Sequence, residues 1–257
     1  MLELDVLTIV LLLLAGLAAG WVDAVVGGGG LIQLPALLLV PGITPVQALA
    51  TNKLGSIMGT STSAITYYRR VQPDLRTAAP MAVTALAGAV GGAALASRIP
   101  SELFTPIILV VLVGVLLWTL LKPSVGAHDD LRWVGNGHKR IAAAIGLVIG
   151  SYDGLLGPGT GTFLVISLVS VLGYSFLPAS AIAKIVNFAT NAGALIWFVP
   201  SGAVIWGLGL GMGVANLVGA YIGARMAVAR GSRFVRVVFV LVVAALVCRL
   251  GWDVLTR

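Results

Sequence analysis

Charge is what this sequence has least of. Only 10% of its 257 residues are Asp, Glu, Lys or Arg and 59% are hydrophobic, whereas a soluble domain carries roughly 25% charged residues. With a mean hydropathy of +1.06, the chain cannot contain a soluble catalytic domain of any size and reads as an integral membrane protein. A crossing takes about 20 apolar residues, so about eight to ten crossings would use nearly the whole length. Two-residue alternation is missing from the apolar runs, which argues against a closed β-barrel. Cysteine is nearly absent: Cys248 alone makes no internal disulfide and leaves no zinc cluster. The two histidines, His128 and His138, fall in the one hydrophilic stretch without metal-ligand spacing and are expected in a solvated loop. No Walker lysine is present, so ATP is not the energy source, and no enzymatic motif or cofactor is expected. Lys and Arg are missing from the first residues, where Glu3 and Asp5 stand instead, so residues 6–26 are expected to be a retained first span and not a cleaved signal.

The net charge of +7 does not point to nucleic acid, because the bases lie between apolar runs and form no block. They fit the positive-inside rule. Arg69, Arg70 and Arg76, the linker bases, and Arg225, Arg230, Arg233 and Arg236 fall on one side if each half has an odd number of crossings. That count inverts the two halves and puts both termini outside the cytoplasm.

What the sequence does have is glycine in telling places. Asp23 is followed by Gly27-Gly28-Gly29-Gly30 inside an apolar run, and Asp153 by Gly157-Pro158-Gly159-Thr160-Gly161; both the aspartates and the leading glycines are 130 residues apart. Within a bilayer such runs break a helix, and two broken segments in matching halves point to a transporter's binding site. The fold expected is all-α: a polytopic transmembrane helical protein of two inverted repeats, 1–122 and 141–257, joined by a hydrophilic linker at 123–140. In the first repeat, 4–26 is a span, 31–40 a short apolar segment, 45–68 an unusually polar helix, and 77–96 and 104–121 ordinary spans. The first of these last two carries Gly88, Gly91 and Gly92 for close helix packing. In the second, 141–156, 162–172, 178–199, 204–229 and 234–252 follow. Trp118, Trp133, Trp206 and Trp252 sit near span ends as interface anchors.

Asp23 and Asp153 have two readings: coupling acids that take up a proton, or caps on the helix starts beyond the breaks. Lys53 and Lys184 are each the sole base in a membrane segment, flanked by Thr51, Asn52, Asn187 and Asn191. Such a lysine snorkels, pairs with an acid, or faces a cavity that an anion visits. The glycines either pack helices or open helix N-termini, whose free N–H groups favour an anion. Gly28, Gly29, Gly30, Gly159, Thr160 and Gly161 are the candidates, with Gln33 and Thr60 near the same site.

Gly27-Gly-Gly-Gly-Leu-Ile, Ala50-Thr-Asn-Lys53-Leu-Gly-Ser and Ala183-Lys-Ile-Val-Asn187-Phe-Ala-Thr-Asn191 resemble the signatures of the sulfite exporter TauE/SafE family, and the resemblance covers essentially the whole chain. It implies a secondary transporter of the bacterial inner membrane whose partners are the lipid bilayer and a small anion such as sulfite or an organosulfonate. A passive anion channel and a non-transporting membrane scaffold remain the other classes.

Overall fold

The computed structural model describes residues 5–96, 98 and 129–255. The expected span 104–121 with Trp118, and the linker with His128 up to that residue, lie outside the described residues. So does the side chain of Trp252.

The described part is all-α. Helix α1 (Val6–Val26) starts where the Asp5 carboxylate accepts the Thr8 N–H at 3.1 Å, and stops at Gly27, whose φ of 87° only glycine takes without strain. A short α2 (Gly30–Leu38) turns back along it. Helix α3 (Pro45–Val71) opens on a capping box: Gln47 N–H donates to Thr44 Oγ1, and the Gln47 side chain accepts the Thr44 N–H, with Pro45 in the first turn. A tight turn at Gln72 leads to α4 (Leu75–Ala96). Helix α5 (Gly135–Leu155) begins six residues earlier than the apolar pattern predicts. Then α6 (Thr160–Ser167) runs into a π turn (Leu168–Leu172) closed by Gly173. Helix α7 (Phe176–Phe198) is followed by α8 (Trp206–Leu255), in which Gly231 (φ 71°) interrupts the helical backbone between the two spans read from the sequence.

Among the described residues, four helical stretches are long and apolar enough to cross a membrane: Val6–Val26, Leu75–Ala96, Phe176–Phe198 and Trp206–Val235. The polar α3, about 40 Å long at 1.5 Å per residue, packs against α7 and α8. Small residues set the main interfaces. A Cβ on Gly16 or Gly20 of α1 would strike Met212 O or Asn216 O of α8. Gly146, Gly150 and Gly154 of α5 lie as close to the backbone of Met81, Ala85 and Ala89 in α4. Both pairs therefore run parallel, and α3, with Gly55 on Gly209 and Gly59 on Asn216, runs with α8. The α3–α4 turn reverses direction, so α1, α3 and α8 oppose α4 and α5. Gly88 and Gly92 pack against α5, but Gly91 meets nothing within 4 Å and is no packing residue.

His138 corrects the sequence reading. It is not in a solvated loop: it lies in the first turns of α5, 8% exposed. Its Nε2 is 2.8 Å from Thr77 Oγ1, and its ring meets Tyr174 edge-on. Thr77 and Tyr174 hydroxyls both donate to Asp74 Oδ2, at 2.7 and 2.9 Å. This cluster ties the α3–α4 turn to the starts of α5 and α7. Burial works to raise the Asp74 carboxyl, but donors from Thr77, Tyr174 and the Arg76 N–H outweigh it, and the group lies below its ordinary value. Burial pushes the Tyr174 hydroxyl up to about 12, so it remains a donor. Of the described tryptophans, Trp133 and Trp206 are exposed at helix starts, as the anchor reading expects, and Trp133 Nε1 donates to Val171 O.

Candidate functional site

The two glycine-rich turns meet. Gly27, after α1, and Gly161, in the first turn of α6, are in backbone contact: a Cβ on Gly27 would lie 2.2 Å from Gly161 C, and one on Gly161 2.4 Å from Gly27 Cα. Thr162 N–H donates to Gly27 O at 3.1 Å and Thr162 Oγ1 to Val26 O at 3.3 Å. The glycines here thus serve both readings, close packing and helix starts. Gly29 is of the packing kind, since its Cβ would strike Ala19 O and Asp23 Cβ at 2.6 Å.

Around this crossing, four ionisable side chains pair across the halves. Lys53 on α3 faces Asp153 on α5, Nζ to Oδ2 2.6 Å, with side chains 1% and 2% exposed. Lys184 on α7 faces Asp23 on α1, Nζ to Oδ2 3.1 Å, and also donates to the Asp23 main-chain oxygen. Neither aspartate caps α2 or α6, whose first residues follow Gly29 and Gly159 with no side-chain cap. The capping reading fails for a simple reason: each carboxylate sits before its break, near the end of the preceding helix, and turns to a lysine. Asp153 Oδ1 accepts in addition from Thr160 Oγ1 at 2.5 Å. Its Oδ2 has charge contact with Lys53 but no hydrogen-bond geometry. Removing one member of such a buried pair costs about 3–5 kcal/mol, because the other is left uncompensated.

A small cavity opens beside the pairs, with about 20 Å³ of free space, on the order of one water. Asp23, Lys53, Asp153, Asn52, Asn187, Asn191, Gly30, Gly159, Thr160 and Gly161, all candidates from the sequence, line it. Both short helices thus present N-terminal residues to it. Gly27, Ser56 and Gly157 also line it and were not among the predicted residues. Ser56 lies one turn of α3 beyond Asn52 and Lys53, a helical spacing that could have flagged it. Asn52 Oδ1 is buried without a partner. Asn191 Nδ2 donates to Thr60 Oγ1 at 3.4 Å, so Thr60 stands just behind the wall. Other candidates fall outside it. Lys184, Gly28 and Gly29 do not line the cavity. Thr51 accepts the Ile205 N–H, holding the α7–α8 turn, and Gln33 is spent between Asn216 Nδ2 and Asn52 O.

The family described as "Sulfite exporter TauE/SafE" matches residues 12–250. A "Probable membrane transporter protein ORF9" from Sinorhizobium sp is 38% identical over 94% of this chain and 92% of its own. "Probable membrane transporter protein YfcA" of Escherichia coli K12 is 32% identical over 94% and 89%. A "Probable membrane transporter protein" of Haemophilus influenzae is 29% identical over 97% and 96%. No solved structure matches the chain. With four apolar helices among its described residues, the chain is an integral, multi-pass protein of the bacterial inner membrane, devoted to transport and not to catalysis. Matched by the family over nearly its whole length, it belongs to the sulfite exporter TauE/SafE family.

Proposed function

We propose that the protein is a secondary transporter that exports small sulfur-containing anions, such as sulfite or organosulfonates, by alternating access around one site near the membrane midplane. Its halves are inverted repeats, each with a Gly-broken helix; the opposed directions of α1, α3 and α8 against α4 and α5 support this reading. The site consists of Lys53, Asn52, Asn187, Asn191 and the backbone at Gly30 and Gly159–Gly161, with Gly28 and Gly29 in the turn beside it. Lys53 is its direct anion contact; Lys184, Thr51 and Gln33 support it from behind. Asp23 or Asp153 takes up a proton.

The observation that carries the reading is the exchange of partners: each buried ammonium is held by a carboxylate from the other half, beside a polar cavity. An anion arriving at the lysine replaces the carboxylate, which loosens the contact between halves and lets them rock. The two helix N-termini add partial positive charge on the same side of the guest. In liposomes, Lys53→Ala and Lys184→Ala abolish sulfite flux while leaving the protein folded; undiminished flux in both variants rules the site out. A passive anion channel through the same cavity is the second reading, for which the same polar lining around Lys53 speaks. Single-channel conductance in a planar bilayer separates the two.

A further inference from the structure

We infer that binding of a singly charged anion at this site is electroneutral: the anion brings one proton, which Asp153 takes. The inference rests on the transport reading above and adds to it a stoichiometry and one named acceptor.

Its basis is a charge count. Lys53 from α3 and Lys184 from α7 are balanced one for one by Asp153 from α5 and Asp23 from α1. Helices α2 and α6 carry no ionisable side chain. The nearby Tyr152 hydroxyl is neutral and donates to Pro158 O at 2.6 Å. Among the described residues, the cavity therefore has no spare positive charge, although two lysines make it look basic. An anion entering alone would leave net negative charge in a buried place. A proton entering with it restores the balance.

The two pairs are not equivalent, and the difference selects the acceptor. Lys184 is out of the cavity and holds two oxygens of Asp23, one of them main-chain, so this pair acts as a strut between α7 and the end of α1. Lys53 and Asp153 both face the cavity. Their contact lacks hydrogen-bond geometry at Oδ2, while Oδ1 is separately anchored by Thr160. Oδ2 is thus the oxygen a guest can replace without unpicking the rest. Asn52, the residue before Lys53, is 3% exposed with Oδ1 unpartnered, a second polar group with unused capacity at the same wall. In the step itself, the anion and a proton come from one aqueous side. An O–H bond forms at Asp153 Oδ2, Lys53 keeps its charge and turns to the anion. On the far side both leave and the ion pair closes again. Such a cycle ignores membrane potential and responds to the substrate and pH gradients alone, so export runs when the outward substrate gradient exceeds the opposing pH gradient.

The test uses the full chain in proteoliposomes, with hydrogensulfite and methanesulfonate, both singly charged, as probes, a potassium–valinomycin potential, an entrapped pH dye and protein-free vesicles as baseline. For any probe carried, 100 mV leaves the final distribution unchanged and flux is accompanied by a matching pH change inside. A singly charged anion moving alone would instead redistribute about 50-fold. Asp153→Asn, which leaves Lys53 unbalanced, loses the pH signal and follows the potential; Asp153→Glu keeps the pH signal. Wild-type flux that follows the potential without proton movement overturns the inference and leaves the transport reading standing. Electroneutral flux persisting in Asp153→Asn overturns the assignment to Asp153. Failure of the folded wild type to carry any probe overturns the transport reading, and this inference with it.

Discussion

At the scale of the residue, a buried ammonium is stable only in company. Lys53 at 1% and Lys184 at 0% exposure are paired with Asp153 and Asp23, and removing either partner leaves the other uncompensated. Lys53→Met alone is expected to destabilise the protein by about 3–5 kcal/mol, and adding Asp153→Asn to recover most of that loss; a double-mutant cycle by thermal unfolding in detergent measures it. Additive losses would mean that the pair is not coupled. Asp74 gives a pH signature of a different kind. Its carboxyl is held below the ordinary value by its donors, against the pull of burial. The unfolded chain therefore binds the proton more tightly than the folded one, and stability contributed by Asp74 is complete above the unfolded value, about 3.9, and lost as pH falls through the folded value. The melting-temperature gap between wild type and Asp74→Asn should be present at pH 6 and shrink progressively as pH falls below about 4. The Asp–Lys alternative was open to sequence reading, because a lone base in an apolar segment needs an acid. Which acid served which base was not, since the partners are 100 and 161 residues apart in the chain.

At the scale of the element, the breaks do more than end helices. The Gly27–Gly161 contact leaves no room for a methyl group on either side, and Gly27 also holds a positive φ. Gly27→Ala and Gly161→Ala are each expected to cost more than about 2 kcal/mol, as overpacking against backbone with added strain. Gly91→Ala, exposed and with nothing within 4 Å, should gain up to about 1 kcal/mol of helix propensity. Thermal unfolding of the three variants checks the contrast, and equal effects would refute it. Glycine spacing alone marks Gly88, Gly91 and Gly92 alike, since the sequence does not say which face of α4 meets α5. The caps were more local: Thr44, Pro45 and Gln47 lie within one turn, and α3 begins where they put it. The start of α5 was missed because Lys139 and Arg140 masked helix as linker. Their side chains reach solvent while His138, one position earlier, turns inward to Thr77.

At the scale of the whole molecule, orientation follows from where the bases fall. With the α3–α4 turn and the Arg225–Arg233 region on the cytoplasmic side, a cysteine at Leu75 should react only with reagents inside, and one at Ser201 only with those outside, in a background where Cys248 is replaced by Ala. Labelling of both from one side would reverse the reading of inverted halves. The sequence by itself determined that this chain lives in a bilayer as helices, that a glycine-rich run follows an aspartate in two of its apolar stretches, and that lysines and asparagines stand in otherwise apolar surroundings. These are matters of composition, spacing and local backbone preference, and they are written within a few residues of each position. Only the tertiary structure decided that the glycine turns touch and that each lysine takes its carboxylate from the other half. It alone decided that Lys53 faces the cavity while Lys184 does not, and that Gln33 and Thr51 are spent on holding helices together. The physical reason is that pairing and burial depend on which helix faces lie against each other, and that is set by close packing between segments far apart in the chain.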